Sequence, residues 1–151
     1  MKLCSAKLSD IGAIQKLVAQ EVESGVLLPR SDDEIATNIR SYILAYEQER
    51  LVGLCALHIH TQELAEIRSL IVDKDFRCAG IGKELVLKSI ANAQKLGLKR
   101  LLCLTYQDQF FKLLGFEEIP KESIPEHKIW ADCIKCKHFP ICNEISLIKK
   151  L

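Results

Sequence analysis

The sequence predicts a single α/β domain in which a mixed, mostly antiparallel central sheet is flanked by helices. Three features lead to this prediction. Strand-like and helix-like hydrophobic patterns alternate along the chain, and two strand-like runs joined by a short polar turn predict a hairpin. A strand, a glycine-rich loop, a helix and a further strand follow in the middle of the chain. The length of 151 residues fits one domain, which we take to span residues 1–151.

The first half is predicted to contain four strands and two helices. Alternation over residues 2–7 predicts the first strand, and Ser9 and Asp10 are typical capping residues for the helix that follows. That helix carries apolar residues at helical spacing: Ile11, Ile14, Leu17, Val18 and Val22. Residues 31–34 have the pattern of a capping box before a short helix that ends near Ile39. Three β-rich runs follow at residues 41–47, 51–60 and 63–72, with Gly53 as a candidate bulge.

The second half continues the alternation of helices and strands. A long helix is predicted from Ala79 or Gly80 to about Leu96, with Gly97 as its C-terminal stop. A buried-type strand at residues 100–105, a short helix at 107–114 and a strand at 115–119 follow. After an irregular stretch, residues 144–148 alternate and close the sheet, which gives the order β-α-α-β-β-β-α-β-α-β-β.

The charge balance and the cysteine content exclude several classes of function. The 21 basic and 20 acidic residues leave a formal net charge of +1, so we expect no nucleic-acid partner. Charged residues interrupt every apolar stretch, and the N-terminus has no signal-peptide core, so we expect no membrane segment. Seven cysteines, an odd number and mostly scattered, favour free thiols in a reducing cytoplasm.

The most informative segment covers residues 65–86, AEIRSLIVDKDFRCAGIGKELV. The predicted strand runs into Arg77-Cys78-Ala79-Gly80-Ile81-Gly82-Lys83 and then directly into a helix. A helix N-terminus has unsatisfied N–H donors and a positive dipole end, and glycines let an anion approach them, which predicts a pyrophosphate site. The pattern lacks the third glycine of a Rossmann fingerprint and the Gly-Lys-Ser/Thr of a P-loop. The alternative is a glycine-rich loop that only starts a helix.

The strand before this loop places two charges on one predicted face. Strict alternation puts Glu66, Arg68, Leu70 and Val72 on one side and Ile67, Ser69 and Ile71 on the other. Two charged groups on one face of a central strand are costly to bury, so they indicate a cleft. The alternative is an ion pair between Glu66 and Arg68 at a solvated sheet edge.

Two segments resemble the GNAT superfamily of acyl-CoA-dependent N-acyltransferases. Residues 77–82, RCAGIG, match the superfamily motif Arg/Gln-x-x-Gly-x-Gly/Ala at every defined position. Residues 110–116, FFKLLGF, resemble its helix-to-strand motif that ends in Leu-Gly-Phe. The resemblance covers most of the chain and implies acetyl-CoA as co-substrate, with no metal required.

The resemblance also implies how the cofactor is held. The backbone of Leu70, Ile71 and Val72 would pair with the pantetheine arm as an added strand does. The pyrophosphate would lie against the loop and first helical turn, formed by Arg77, Cys78, Ala79, Gly80, Ile81, Gly82 and Lys83. Phe111 joins the expected cofactor contacts, although many members have a tyrosine there that acts as general acid, a role that Phe111 cannot perform.

Glu66 is the expected general base. It lies eleven residues before Arg77, where some family members have a catalytic glutamate that acts directly or through water. An alkyl ammonium with a pKa near ~10 cannot attack a thioester until a base removes a proton. Tyr106 is the substitute candidate for the general acid, and the alternative for Tyr106 is an ordinary half-buried tyrosine.

A narrower resemblance concerns the acceptor amine. Residues 27–31, 66–70, 104–107 and 128–133 are similar to the short bacterial N-acetylglutamate synthases of arginine biosynthesis. That similarity implies L-glutamate as acceptor, with Arg30, Arg68 and Lys128 as ligands of its carboxylates. Solvated charges are the alternative for Arg30 and Lys128. Another amine acceptor, a non-catalytic acyl-CoA-binding module and a homodimer also stay open.

The remaining cysteines and histidines have several interpretations. Cys133, Cys136, His138 and Cys142 are a candidate zinc set, but only one Cys-x-x-Cys pair is present. A redox-sensitive pair or packing thiols are the alternatives, and we assign no metal ligands. His58 and His60 alternate on one strand face, where we expect a solvated edge, and the alternative is that they line the cleft. Cys78 is not needed for catalysis by direct attack.

Overall fold

A computed structural model describes residues 1–23, 25, 29–124 and 144–151. The strands are β1 (Lys2–Ser5), β2 (Tyr42–Glu47), β3 (Arg50–Ile59), β4 (Leu64–Val72), β5 (Arg100–Thr105), β6 (Glu117–Ile119) and β7 (Ile145–Lys150). The helices are α1 (Ile11–Glu23), α2 (Asp32–Thr37), α3 (Ile81–Leu96) and α4 (Asp108–Leu113). This order confirms the succession that the sequence predicts, with ends that differ by a few residues.

All seven strands form one sheet in the order β1-β2-β3-β4-β5-β7-β6. The pair β4–β5 is parallel, and the other five pairs are antiparallel. The crossover that a parallel pair requires is made by α3, which lies between β4 and β5 in sequence. The predicted mixed and mostly antiparallel sheet is therefore confirmed.

Helices cover both faces of the sheet. One core cluster lies beneath α3, where Leu85, Val86 and Ala93 are fully buried against strand residues such as Leu101 and Leu147. The second cluster lies beneath α1 and α2 and contains Ile14, Val18, Ile35, Leu44 and Leu54. None of the described helices is long and apolar enough to cross a membrane.

A bulge in β4 changes the predicted distribution of side chains. Leu54 pairs with Ile71 but Ala56 pairs with Arg68, so β4 has one extra residue around Ser69, whose φ is +58°. A bulge shifts the alternation by one position. Ile71 therefore packs in the cluster beneath α1, and Leu70 and Val72 pack against the cluster beneath α3. The prediction that Leu70 and Val72 share a face with Glu66 and Arg68 is wrong for this reason.

A second bulge lies in β3, next to the glycine that the sequence indicates. Ala45 pairs with Gly53 and Tyr46 pairs with Leu51, which leaves Val52 as the extra residue. A Cβ atom at Gly53 would lie 2.9 Å from Ile81 Cγ2 and 3.3 Å from the carbonyl oxygen of Ile71. The absence of a side chain at Gly53 therefore lets the first turn of α3 approach the sheet closely.

The parallel strands β4 and β5 are paired over a short length only. Their register consists of Leu64 with Arg100, Ala65 with Leu101 and Glu66 with Leu102. Beyond Glu66, β4 continues to Val72, and no described strand pairs with it on the β5 side. The two strands thus separate at Glu66, and the backbone edge of residues 67–72 faces the opening between them.

Candidate active site

Glu66 lies where β4 and β5 stop pairing, and it is the only buried acidic residue among those described. It is 3% exposed, and its register neighbours are His58 on β3 and Leu102 on β5. A buried carboxylate is costly unless polar groups compensate its charge. This placement fits the cleft interpretation and does not fit the alternative of a solvated ion pair at a sheet edge.

The carboxylate of Glu66 contacts the imidazole of His60. The distance from Glu66 Oε1 to His60 Nε2 is 2.8 Å, and the two side chains are 4% and 0% exposed. His60 follows the last residue of β3, and its ring also packs edge-on against His58, with the centroids 4.8 Å apart. The expectation of a solvated edge is therefore wrong for His60. Alternation alone does not show that the turn after β3 brings this ring back onto β4.

Arg68 lies on the same face of β4 as Glu66, in a row of residues that crosses three strands. Ala56 on β3 pairs both with Arg68 on β4 and with Tyr42 on β2. Directly paired residues share a face and adjacent strands lie about 4.8 Å apart, so Arg68 and Tyr42 flank Ala56. The small side chain of Ala56 leaves room between them.

Arg30 reaches the same row from the loop between α1 and α2. Its Nη1 donates to the buried hydroxyl of Tyr42 at 2.9 Å. Its carbonyl oxygen accepts from Gln15 Nε2 at 2.7 Å, which connects the loop to α1. The structure therefore connects Arg30, through Tyr42, to the row of residues that contains Arg68, although the two arginines are far apart in sequence.

The glycine-rich loop after β4 is open to solvent. Arg77, Cys78, Ala79 and Gly80 are all exposed, and Lys83 is exposed in the first turn of α3. Cys78 and Gly80 have φ values of +67° and +83°, and Gly80 is the N-cap of α3. Gly80 has no side chain with which to cap the helix, so the N-cap position makes no side-chain hydrogen bond to the first turn. Helix α3 thus begins directly after an exposed stretch of the described chain.

An Asp–Arg pair holds the chain between β4 and this loop. Asp73 Oδ1 accepts from the backbone N–H of Asp75 at 2.9 Å, and Asp73 Oδ2 accepts from Arg50 Nη2 at 3.0 Å. The N–H of Asp75 first, and then Arg50, hold the pKa of the Asp73 carboxyl below its usual value. Arg50 also stacks over the ring of Phe76 at 5.0 Å. These contacts fix the direction in which the loop leaves the sheet.

Arg77 connects the loop to both sheet and helix. Its Nε donates to the carbonyl oxygen of Val72 at 3.3 Å, and its Nη2 lies 3.5 Å from Glu21 Oε1 on α1. The guanidinium is more than half exposed, so it can still meet an anion at the loop.

Phe110 and Phe111 occupy different environments on α4. The ring of Phe111 is 2% exposed and packs edge-on against Phe110 and Phe116 in the core. Phe110 Cζ lies 3.6 Å from the position that a Cβ on Gly82 would take. The aromatic ring beside the glycine-rich loop is therefore that of Phe110, and Phe111 has very little exposed surface for the cofactor contact predicted for it.

The other predicted residues lie on β4 and directly after β5. Leu70, Ile71 and Val72 form the end of β4 that faces the opening. Ser69, at the bulge, is 6% exposed, and its Oγ has no hydrogen-bond partner among the described groups. Tyr106 follows β5 and is 45% exposed, and its role as proton donor stays a prediction.

Five predicted positions lie outside the described residues: Lys128, Cys133, Cys136, His138 and Cys142. Their roles stay predictions. In the described part of the chain, no group of three or more His, Cys, Asp or Glu residues could hold a metal ion.

Together these groups define a cleft with three chemical functions. An open helix N-terminus can bind a polyanion, and an unpaired strand edge can hydrogen-bond an extended amide chain. A buried carboxylate lies where the two parallel strands separate, Arg68 lies on the same sheet face, and Arg30 contacts Tyr42 on that face. This set suits a reaction between a pyrophosphate-containing amide cofactor and an acceptor that carries carboxylates.

Comparison with known proteins agrees with this geometry. A model of the acetyltransferase (GNAT) family matches residues 13–116. An uncharacterized N-acetyltransferase of Chlorobaculum tepidum is 39% identical over 147 residues, which cover 97% of this chain and 94% of that protein.

Two further comparisons concern larger proteins. An amino-acid acetyltransferase of Aeromonas salmonicida is 28% identical over 123 residues, covering 80% of this chain and 28% of that protein. The structure of N-acetylglutamate synthase from Neisseria gonorrhoeae, complexed with coenzyme A and N-acetyl-glutamate, superposes with a TM-score of 0.86 at 25% identity. That superposition covers 99% of this chain and 35% of the synthase. The chain thus spans only about a third of the length of these two proteins.

Proposed function

Since this chain belongs to the acetyltransferase (GNAT) family, in which acetyl-CoA is the acetyl donor, we propose that its acceptor is the α-amine of a small acidic amino acid, with L-glutamate as the first candidate. One observation carries the proposal. The buried carboxylate of Glu66 lies where β4 and β5 separate, and Arg68 lies on the same face of β4. The groups needed for amine deprotonation and for carboxylate recognition are therefore adjacent.

The donor is held by backbone groups in this proposal. The pantetheine arm pairs with β4 along Leu70 to Val72, where no described strand occupies the β5 side. The pyrophosphate lies at the N-terminus of α3, against the glycine-rich loop between Arg77 and Lys83. The thioester then lies near Glu66, because the arm runs along the opening towards the place where the strands meet.

The chemistry needs one proton acceptor and one oxyanion ligand. Glu66 takes a proton from the acceptor ammonium, directly or through a water molecule, and the amine attacks the thioester carbonyl. The N–C bond forms and the C–S bond breaks. The thiolate leaves and takes up a proton, for which Tyr106 is the proposed donor, and the second proton lost by the amine nitrogen restores the donor. Backbone N–H groups at the β4 bulge around Ser69 stabilise the oxyanion. Holding both reactants in one cleft supplies much of the rate.

The acceptor assignment depends on the two guanidinium groups. Arg68 lies next to Ala56 on the face that carries Glu66, and Arg30 contacts Tyr42 on the other side of Ala56. Guanidinium groups bind carboxylates in bidentate geometry. A dicarboxylic amino acid has one carboxylate for each of them, and its α-amine would lie towards Glu66. The names of the Aeromonas and Neisseria relatives support an amino-acid acceptor. Lys128 stays a further predicted ligand.

The proposal is tested by measuring CoA-thiol release from acetyl-CoA with each of the twenty amino acids and with a blank that lacks an acceptor. We expect release with L-glutamate well above the blank and above all other acceptors. Glu66→Gln is expected to lower kcat by about 10²-fold or more while CoA affinity is kept. Glu63→Gln, at an exposed position just before the same strand, is the matched control and should keep full activity.

The other outcomes separate the parts of the proposal. Release with another amine would keep the cofactor site and discard glutamate as the acceptor. CoA binding without release for any acceptor would favour a non-catalytic binding module. If glutamate is the acceptor, Arg68→Lys should raise its KM, since a lysine cannot form the bidentate pair, whereas Arg100→Lys at the exposed start of β5 should not.

A further inference from the structure

We propose that His60 is a positioning residue for the general base. Its imidazole holds the carboxylate of Glu66 in the orientation and charge state that amine deprotonation requires. This inference rests on the proposed function, because it assigns His60 a role only if Glu66 accepts the proton of the acceptor ammonium.

The contact geometry is that of a strong hydrogen bond in a dry environment. His60 Nε2 and Glu66 Oε1 are 2.8 Å apart, and neither side chain has more than 4% of its surface exposed. A hydrogen bond to a charged acceptor is stronger where water is excluded. The His60 ring therefore has to carry a proton on Nε2 while the carboxylate is ionised.

Hydrogen bonds of the turn after β3 hold the backbone from which the His60 side chain extends. The N–H of His60 donates to the carbonyl oxygen of Leu64 at 2.9 Å, directly after β3 ends. The hydroxyl of Thr61 accepts from the N–H groups of Glu63 and Leu64 at 3.2 and 3.1 Å. This turn returns the chain onto β4, and it places His60 against a carboxylate six residues later. The edge-on contact with His58 restricts the ring further.

The groups around the His60–Glu66 pair determine how strongly the His60 hydrogen bond affects the protonation of Glu66. Among the described residues, the titratable or charged groups beside the pair on this sheet face are His58 on β3 and Arg68 on β4. Tyr42, with its partner Arg30, lies one strand further away, and β5 contributes the apolar Leu102 next to Glu66 and Arg100 at its exposed start. Loss of the His60 donor is expected to shift this nearly buried carboxylate towards its protonated form, which cannot act as a base. During the reaction His60 keeps its proton, and Glu66 takes up the proton that the ammonium loses.

Two substitutions at His60 distinguish the effect of its hydrogen bond from the effect of its side-chain volume. His60→Leu removes the donor at similar volume and is expected to lower kcat/KM for the acceptor by about 10²-fold, with the KM for acetyl-CoA unchanged. His60→Gln keeps an N–H donor near the position of Nε2 and should retain most of the activity. In His60→Leu, the low-pH limb of the rate profile should move upward by about one pH unit. If both variants lose activity equally, or if neither does, the proposal is wrong.

A double-mutant cycle shows whether the effect passes through Glu66. In a Glu66→Gln background, His60→Leu should have almost no further effect on kcat, because the group that it positions is already lost. Additive losses would overturn the proposal. If Glu66→Gln alone kept full activity, the proposed function itself would fail, which is a different result from an active His60→Leu variant.

A matched control accounts for lost stability. Ser89 on α3 donates to the carbonyl oxygen of Leu85 at 3.0 Å and lies 3.1 Å from Cys55 Sγ, fully buried beneath the opposite face of the sheet. Ser89→Ala therefore removes a buried hydrogen bond remote from Glu66. We expect it to destabilise the fold without moving the pH profile. If Ser89→Ala moved the low-pH limb as His60→Leu does, the assignment would be wrong.

Discussion

Tyr42 and Tyr46 lie on the same face of β2, but their hydroxyls have different partners. The hydroxyl of Tyr42 accepts from Arg30 Nη1 at 2.9 Å, beside Ala56 and Arg68. The proposed function therefore predicts that Tyr42→Phe releases the Arg30 side chain and raises the KM for L-glutamate. The expected rise is about 2- to 10-fold, the equivalent of one hydrogen bond of about 1 kcal/mol, with the KM for acetyl-CoA unchanged. Initial rates at varied glutamate concentration measure it.

Tyr46→Phe is the control for Tyr42→Phe, because it also removes one tyrosine hydroxyl from β2. Tyr46 Oη donates to Asp10 Oδ1 at 2.6 Å, and burial, followed by this contact, raises the pKa of Tyr46 to about 12. Its loss should lower the free energy of unfolding and leave both KM values unchanged. An unchanged glutamate KM in Tyr42→Phe, or equal changes in the two variants, would show that Arg30 does not bind the acceptor.

At the residue scale, the sequence indicated the location of two charged side chains but not the environment of several others. Glu66 and Arg68 stand out because two charges on one face of a central strand demand compensation, and the structure places them beside the opening. His60 does not stand out, because its partner is decided by the turn after β3. Phe111 was predicted from a motif position, but which of two adjacent phenylalanines meets the loop depends on how α4 is rotated.

At the scale of elements, the packing of α3 on β3 determines where the cofactor loop lies. A Cβ at Gly53 would lie 2.9 Å from Ile81 Cγ2 and 3.1 Å from Leu85 Cδ1. Ile81 is the first residue of α3, so relief of this clash would move the end of the helix that we propose as the pyrophosphate site. We expect Gly53→Ala to lower the free energy of unfolding by about 1–3 kcal/mol and to raise the KM for acetyl-CoA. Urea denaturation and initial rates measure the two effects.

Gly12→Ala is the control for this substitution. No atom lies within 4 Å of a Cβ at Gly12, which is in the first turn of α1, and its φ is not positive. This change should be neutral or stabilise by up to about 1 kcal/mol, because alanine favours helix over glycine. If Gly53→Ala lowered the free energy of unfolding but left the KM for acetyl-CoA unchanged, the packing of α3 on β3 would not affect cofactor binding, and this prediction would be wrong.

Hydrophobic periodicity and the turn and capping residues predict the helices and strands, but they do not predict the register of β4 against β3. Strict alternation along residues 66–72 predicts that Leu70 and Val72 share a face with Glu66 and Arg68. The bulge at Ser69 breaks that alternation although Ser69 is not a glycine, because pairing with β3 and burial on both faces decide the register. The separation of β4 from β5 is likewise a property of the assembled sheet.

At the scale of the whole molecule, the sheet consists of two parts that meet over a short length. Strands β1 to β4 form one part and β5, β7 and β6 the other, and β4 and β5 share three register positions. Helix α3 connects the two parts covalently and packs against both of them. A ligand that pairs with the free edge of β4 and also binds the end of α3 would therefore contact the junction of the two parts.

Coenzyme A is accordingly expected to stabilise the whole fold and not only its own site. At about 100 times its Kd, a ligand that binds only the folded state adds about 2.7 kcal/mol, which for a chain of this size raises Tm by about 5–10 °C. S-acetylpantetheine has the amide arm but no pyrophosphate, so at equal concentration it should raise Tm less. Thermal unfolding with each compound measures the difference. Equal shifts would show that the N-terminus of α3 does not hold the pyrophosphate, and no shift with millimolar coenzyme A would contradict the cofactor site as a whole.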